Sequence, residues 1–532
     1  MSTNIAISDA SPYSYDELPY ESYPYSQTHP ANLRTIGVLF GMTPVPIETA
    51  RILELGCAAG NNILPLAVDY PKAKIVGVDL SKVQIDQANK QVKDLGLKNI
   101  EFHHCSIMDI NKEFGEFDYI IAHGVLSWVP TDVQEKIFDI CKANLSANGI
   151  AYISYNTLPG WNMVRSIRDM MLYHTQGFQN PIEKVQQSRL LLQFIIDATE
   201  NSNSPYAQVL RGEAKVLANQ PDHYLRHDHI EETNIQFYFH EFSQKAQARE
   251  LQYLGDANLP TMYLGNMPAK VVEKLQAIND IVRTEQYMDF ISNRRFRCTL
   301  LCHQAVKLNR NLNNEDLKNF YLSMVVDPEK ALKDIDINDG TEALKFYINS
   351  SSETFITTSS PIMKAIFYSL AENRNYSLKV DQLVKLATEK LNDGDRVAVK
   401  NELISNGMKL VLAGYMNICS EPTTFTNKLT DKPKASKLVQ YQAERMPGFW
   451  VTNQKHERLG INLFEKYVLR YLDGNNTKEE IIDKVMNHIK NDELTVSRDG
   501  EKISDEKQIR EEIKNILDAT LVKFAPSALL VG

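Results

Sequence analysis

Arg51-Ile52-Leu53-Glu54-Leu55-Gly56-Cys57-Ala58-Ala59-Gly60, followed by Ile75-Val76-Gly77-Val78-Asp79, decides the fold of this chain. It reads as a buried strand, a tight glycine turn into a helix, then a second buried strand ending in an acid. That order predicts a doubly wound α/β domain with a nucleoside at its first turn. The glycines admit close backbone approach, and the acid accepts hydrogen bonds from ribose hydroxyls. A dinucleotide site would show Gly-x-Gly-x-x-Gly aimed at a pyrophosphate. The spacing here is Gly56-x-x-x-Gly60, and Glu54 lies inside the first strand. Both features point to S-adenosylmethionine instead.

Outward from this stretch, strands and helices alternate from Arg51 to Asn156. Strands are expected at Arg51–Leu55, Lys74–Val78, Ile100–His103, Phe117–Ala122 and Gly149–Tyr155. Ser81 with Gln84, and Thr131 with Gln134, have the spacing of capping boxes that open helices. Alternation of this kind implies a parallel sheet with right-handed crossovers, and its ligand lies beyond the carboxyl ends of the strands. Glu54 to Gly60, Asp79, Ser106 and His123 all fall at such ends.

The chain has 532 residues, enough for about two to four domains. The expected division is a Rossmann-like core over 1–165, a helical insertion over 166–233 and a possible completion of the core over 234–265. A helical middle region over 266–345, a winged-helix-like segment over 346–430 and a helical C-terminal domain over 431–532 follow. Within the completion, His240 to Leu254 reads as helix and Gly255 to Met262 as a late strand. Lys409 to Ile418 reads as a β-like end.

Composition narrows the function classes. Hydrophobic residues are 43% and the net charge is −9, from 58 basic and 67 acidic residues. The chain therefore reads as globular, and its acidic balance argues against a general nucleic-acid binder. Six cysteines without a disulfide spacing suggest a reducing compartment. The first residues lack the pattern of a secretory signal, and no apolar run of about 18 residues predicts a membrane span. The expected location is the cytoplasm, without membrane insertion.

Each candidate site residue has a plainer reading beside the functional one. Glu54, inside a strand, either organises the cofactor loop or makes a structural salt bridge. Gly56, Cys57, Ala58, Gly60 and Asn61 form the cofactor turn, with Ala58 where many relatives of this fold carry glycine. Asp79, with Leu80 beside it, suits two ribose hydroxyls, or else opens the next helix. Ser106 and Ile107 occupy the adenine-side position, where an Asp is common. His123 and Gly124 end the fourth strand, where methyl and acceptor should meet. A lone histidine is as readily structural. Trp128, Tyr155, Asn156 and Trp161 stand on the same rim. His123, Trp128, Tyr155 and Trp161 are the catalytic candidates. Tyr23, Tyr25, Trp128, Tyr155 and Asn156 are the candidates for a substrate channel.

Three further patterns are set aside. Cys298-x-x-x-Cys302-His303 lacks a second ligand pair with zinc spacing, so no metal is expected. Asp334-x-Asp336-x-Asn338 has Asp339 and Lys345 where a calcium loop needs Gly and Glu. Arg294-Arg295-Phe296-Arg297 reads as a salt-bridged helix rather than a nucleic-acid patch.

Tyr25-Ser26-Gln27-Thr28-His29-Pro30, Leu53 to Gly60, Ala122 to Pro130 and Ser154 to Trp161 together resemble class I methyltransferases that carry a methyltransferase regulatory domain. Tyr287-Met288-Asp289-Phe290 through Arg297 to His303 resembles that regulatory region. The overall match resembles the rickettsial protein lysine methyltransferases, which modify outer membrane protein B. The resemblance implies S-adenosyl-L-methionine as cofactor, S-adenosyl-L-homocysteine as product, a homodimer, for which the helical insertion is the candidate interface, and Gln27 among the cofactor contacts. It leaves mono- and trimethylation open, with trimethylation favoured. A catalytically inactive cofactor-binding regulator and a small-molecule methyltransferase are the competing readings. The departures at Ala58 and Ser106 favour the first of these. The large C-terminal half argues against the second.

Overall fold

The computed structural model describes residues 22–531 apart from 232, 375, 393, 424, 427, 499 and 500. Tyr13, Tyr15 and Tyr20 of the tyrosine-rich first 25 residues lie outside the described residues. The chain divides into two units. One holds residues 42–94 and 98–308, together with Ser22. The other holds 23–41, 95–97 and 309 onward.

The first unit is built on seven strands. They are β1 (Arg51–Leu55), β2 (Lys74–Asp79), β3 (Ile100–His104), β4 (Phe117–Ala122), β5 (Leu145–Asn156), β6 (Leu251–Asp256) and β7 (Phe296–His303). Their order across the sheet is β3-β2-β1-β4-β5-β7-β6. Strands β1 to β5 pair in parallel, and β7 runs antiparallel between β5 and β6. Leu53, Leu55, Ile120, Ala122, Ile153 and Leu301 are buried in one core with Phe138 and Phe242. Strands covered on both faces carry such near-continuous apolar runs, which is why they were legible. The strand order reverses between β1 and β4, so the ligand crevice opens past their carboxyl ends.

Three helices connect the parallel strands: α1 (Leu64–Asp69), α2 (Lys82–Leu95) and α3 (Thr131–Asn144). The Ser81 hydroxyl accepts from the Gln84 N–H at 3.3 Å, as expected at the start of α2. The second expected box does not form. Pro130 precedes α3 without a side-chain cap, and the Gln134 amide donates instead to the carbonyls of Leu126 (2.9 Å) and Val129 (3.1 Å).

The insertion comprises α4 (Trp161–Thr175), α5 (Pro181–Thr199) and α6 (Pro205–Ala218), then a single π-helical turn over Leu225–Ile230. Ile167, Met171, Val185, Leu192, Leu210 and Leu225 give it a core of its own. In the apolar run 190–196, Leu192 and Ile195 point into that core. Leu190 and Phe194 stay 62% and 66% exposed.

Several expectations need correction after the insertion. Helix α7 (Phe239–Gln247) stops short of Leu254, and β6 occupies 251–256 rather than 255–262. The positive φ of Glu250 (55°) breaks the helix there. Helix α8 (Ile281–Ser292) ends on Asn293 in the left-handed region, a common helix stop. Arg294-Arg295-Phe296-Arg297 and Cys298 to Cys302 therefore belong to the entry and body of β7, not to a helix. The strand is buried on both faces from Thr299 to Cys302, which hides the period-2 alternation that would have revealed it.

In the second unit, Tyr321–Ser323, Val326–Pro328 and Leu344–Ile348 are strands, so 266–345 is not helical throughout. Lys409 to Leu412 ends the helix Arg396–Leu412, and only Asn417–Cys419 is strand. That helix buries Val399, Leu403, Met408 and Val411 along one face, a helical spacing that outweighs the β-like run of apolar residues at its end. The segment 346–430 runs helix Pro361–Glu372, strand Leu378–Lys379, helices Val380–Thr388 and Arg396–Leu412, then strand Asn417–Cys419. A further core joins Val468, Ile481, Val485, Ile513 and Leu517, and Thr477 with Glu480 forms a capping box. No helix among the described residues is long and apolar enough to cross a membrane.

Candidate active site

The turn after β1 places three residues in the left-handed region: Gly56 (φ 69°), Ala58 (φ 47°) and Gly60 (φ 76°). Gly60 has no alternative, because a Cβ there would come within 2.3 Å of the Phe102 ring. Ala58 accepts the same backbone region at a cost, and its N–H is held by Asp79 Oδ2 at 2.8 Å. The N–H groups of Gly56 and Cys57 both donate to the Val78 carbonyl, at 2.9 and 3.0 Å. They seam the turn to the end of β2. Asn61 secures the far side through its N–H and its amide to Ser22, at 3.1 and 2.9 Å.

Glu54 is buried in β1, where one carboxylate oxygen accepts from the Asn62 amide at 2.6 Å. Its other oxygen, Oε2, has no hydrogen-bond partner among the described residues. Burial pushes its carboxyl up to about 8, against the pull of the Asn62 hydrogen bond and with a further push from Asp79. A buried carboxylate oxygen without a donor is costly. It suits a ligand ammonium or other donor. Asp79 accepts from Ala58 with one oxygen and from the Ser81 N–H with the other, at 2.8 Å each.

On the adenine side, the Ser106 hydroxyl accepts from the Met108 N–H at 3.2 Å, and Asp109 accepts from the Ser106 N–H at 3.0 Å. Ser106 is therefore a helix cap first, and its side chain is already engaged. Ile107 opens that short turn, and the Leu80 carbonyl lies 3.0 Å from His104 Nε2.

The acceptor side gathers at the ends of β4 and β5. His123 Nδ1 lies 2.9 Å from the Tyr152 hydroxyl and 3.3 Å from that of Ser154. Burial pulls its ring down to about 4, so it is neutral at physiological pH. The Gly124 N–H donates to Ser154 Oγ at 2.8 Å, and Asn156 N–H to Ser127 Oγ at 2.9 Å. Phe296, from β7, meets the His123 ring edge-on at 6.2 Å. Trp128 meets Trp161 edge-on at 6.2 Å.

Tyr155 is not part of this rim. It is 1% exposed, stacks on Phe242 at 4.3 Å and bonds Thr299 at 3.0 Å. Alternation along β5 sends Ser154 and Asn156 to one face and Tyr155 to the other. Tyr23, Tyr25 and Gln27 belong to the second unit, where Tyr23 meets Trp450 at 5.3 Å and lies under the Arg458 guanidinium at 4.1 Å. Residues missed from sequence were Asn62, Tyr152, Ser154 and Phe296. The Asn61-Asn62 doublet after Gly60 was the available signal, since two amides at a buried helix start need partners. Among the described residues no three of His, Cys, Asp and Glu gather as a metal set.

Three family profiles match the chain. A methyltransferase domain covers 52–149, a "predicted methyltransferase regulatory domain" covers 221–303, and the C-terminal winged helix domain of PKMT covers 431–529. The solved structure of PKMT2 from Rickettsia typhi is 42% identical, with a TM-score of 0.90 over 96% of this chain and 100% of that one. The chain belongs to the rickettsial PKMT family. The same PKMT2 in complex with AdoHcy matches over 97% of this chain with the same TM-score of 0.90. An uncharacterized protein of Rickettsia prowazekii is 57% identical over 99% of this chain and 94% of its own length.

This PKMT family member is an S-adenosylmethionine-dependent methyltransferase. The regulatory match contains β6 and β7, so that region completes the sheet as well as flanking it.

Glu54 carries a pH prediction. Its folded value, about 8, stands above its ordinary 4.5. The folded chain therefore binds that proton more tightly than the unfolded chain, and Glu54 lowers stability as pH rises from 4.5 towards 8. A cationic ligand favours the ionised form. Affinity for S-adenosylmethionine should thus tighten by up to about tenfold per pH unit on the approach to pH 8, with proton release on binding. Calorimetry at pH 6.5, 7.5 and 8.5, set against Glu54→Gln, reads this. Parallel slopes in the two proteins would contradict it.

Proposed function

We propose that this methyltransferase transfers methyl groups to lysine side chains of a protein acceptor, an outer membrane protein B-like surface protein, and proceeds to trimethyllysine. The observation that carries the reading is the acceptor side itself. A neutral histidine, two tryptophans and Phe296 stand at the ends of β4, β5 and β7, suited to an alkyl-amine with a cationic head.

When bound, S-adenosylmethionine supplies an electrophilic methyl on a sulfonium. The chain's residues do the rest. Glu54 and the turn from Gly56 to Asn61 hold the amino-acid end, and Asp79 holds the ribose. Ser106 and Ile107 border the base. His123 and Gly124 position the acceptor end. A free lysine has a pKa of about 10.4, so the ammonium dominates in water. Leaving water for an aromatic-lined site disfavours the charged form and promotes proton loss. No dedicated base is required, which fits a His123 held neutral between two hydroxyls.

Incubation of the full chain with radiolabelled S-adenosylmethionine and unfolded fragments of outer membrane protein B tests the reading, with products identified by mass spectrometry. Methyllysine is the expected product, with the trimethyl form accumulating at long times. Label in a small metabolite, or cofactor binding without any turnover, would replace this reading with one of the two competing ones.

A further inference from the structure

The segment after the insertion crosses the acceptor side. The Ile235 N–H donates to the Ser127 carbonyl at 2.7 Å, and the Phe237 N–H to the Asn156 carbonyl at 3.1 Å. The Asn156 amide reaches Asn234 Oδ1 at 3.2 Å. The chain just before it, Leu225–Ile230, is the π-helical turn. Such turns are uncommon and recur at functional sites.

That turn presents His229 to the aromatic pair already described. The His229 ring lies nearly parallel to Trp161, with centroids 6.2 Å apart and planes at 15°, and Tyr224 packs at 5.5 Å. Trp161 in turn meets Trp128. The run is graded in exposure: Trp128 is half-buried, Trp161 is 7% exposed and His229 1%. Among the described residues neither ring nitrogen of His229 has a hydrogen-bond partner, and Arg226 Nε and Asn234 Nδ2 nearby in sequence are likewise unsatisfied. Burial, with help from Arg168, pulls the His229 ring down to about 4, so one nitrogen is an acceptor. Unsatisfied buried polar atoms are rare in native folds, and each calls for a cause. A solvating ligand supplies one.

We propose that Trp128, Trp161 and His229 form the head-group subsite of the acceptor, in which the tryptophan faces receive a methylated ammonium and His229 accepts a hydrogen bond from its remaining N–H. The inference rests on the lysine reading above and adds the residues that recognise the amine. It follows that His229 contributes to binding lysine, monomethyllysine and dimethyllysine, which keep an N–H. It contributes nothing specific to a trimethylated head, which the tryptophan faces alone retain. Product therefore leaves more readily than the intermediates, which favours repeated methylation.

Tryptophan fluorescence reads the subsite directly, because two of the three tryptophans in the chain are in it. The full chain is titrated with dimethylammonium and with tetramethylammonium, as wild type, His229→Phe, His229→Asn and Trp161→Leu. His229→Phe keeps an aromatic face and removes the acceptor, and it should weaken dimethylammonium about tenfold while tetramethylammonium moves less than about twofold. His229→Asn, which restores an acceptor oxygen, should recover part of the loss, and Trp161→Leu should weaken both cations. In parallel, His229→Phe should raise KM for a lysyl peptide with unchanged affinity for S-adenosylhomocysteine. Equal effects of His229→Phe on the two cations, or no saturable binding by wild type, would overturn the proposal. Absence of methyllysine from the wild-type assay would overturn the lysine reading instead, and the cation titrations decide the subsite separately.

Discussion

Asp79→Ala is expected to reduce affinity for S-adenosylhomocysteine by about 100-fold or more, at the scale of two lost hydrogen bonds to a charged group. The substitution acts twice. It removes the acceptor proposed for the ribose hydroxyls, and it releases the N–H groups of Ala58 and Ser81 that the carboxylate now holds. Ala58 is already in the left-handed region, so the turn loses the contact that offsets its strain. Asp79→Asn separates the two roles. Its amide oxygen can still hold one N–H, but its NH2 group cannot accept. Calorimetric titration of both variants, with circular dichroism to check the fold, measures the effect. Wild-type affinity in Asp79→Ala would remove Asp79 from the cofactor site.

Arg297→Met is expected to cost about 3–5 kcal/mol, the scale for leaving buried charges unpaired. Arg297 is 0% exposed. It bonds Asp289 at 2.7 and 2.9 Å and Glu285 at 3.0 Å, and its guanidinium lies 3.7 Å from the Phe239 ring centre. The Tyr253 hydroxyl also donates to Glu285, at 2.8 Å. The network thus ties β7 to α8, α7 and β6. With the arginine gone, Glu285 and Asp289 share the buried site with no full counter-charge, because Arg294 pairs with Asp256 at 2.9 Å and lies 3.6 Å from Asp289. Hydrogen exchange should show β6 and β7 opening first, at Leu254, Leu300 and Leu301. Arg297→Lys should not restore protection, since an ammonium cannot reproduce the paired fork. Protection equal to wild type in Arg297→Met would mean that the network contributes little.

These two residues also show what was legible in the chain. Asp79 could be placed because β1, its turn and β2 are continuous in sequence, and their chemistry follows from local spacing. The same holds for β3, β4 and β5. Arg297 was assigned to a salt-bridged helix, and half of that stands: the ion pairs are real, but their frame is a strand. Thr299 to Cys302 is buried on both faces, so its pattern resembles a core helix, and its distant partners β5 and β6 decide between them. Tyr155 was misplaced for a related reason. It sits among rim residues in sequence, yet strand alternation turns it into the core. Asn62, Ser154 and His229 escaped because their roles arise from neighbours that no local pattern names.

The antiparallel β7 also sets a timetable for biosynthesis. Strands β1 to β5 can pair as they leave the ribosome, since each meets its neighbour within a short crossover. β6 emerges next with nothing to pair against, because its only sheet partner among the described residues is β7. Until residue 303 has been made, the nascent chain carries an open edge at β5 and an unpaired apolar strand at Leu251–Asp256, both inviting association with other chains. Translation pauses or chaperone engagement over 251–303 would therefore govern the yield of active enzyme more than any event in the cofactor half.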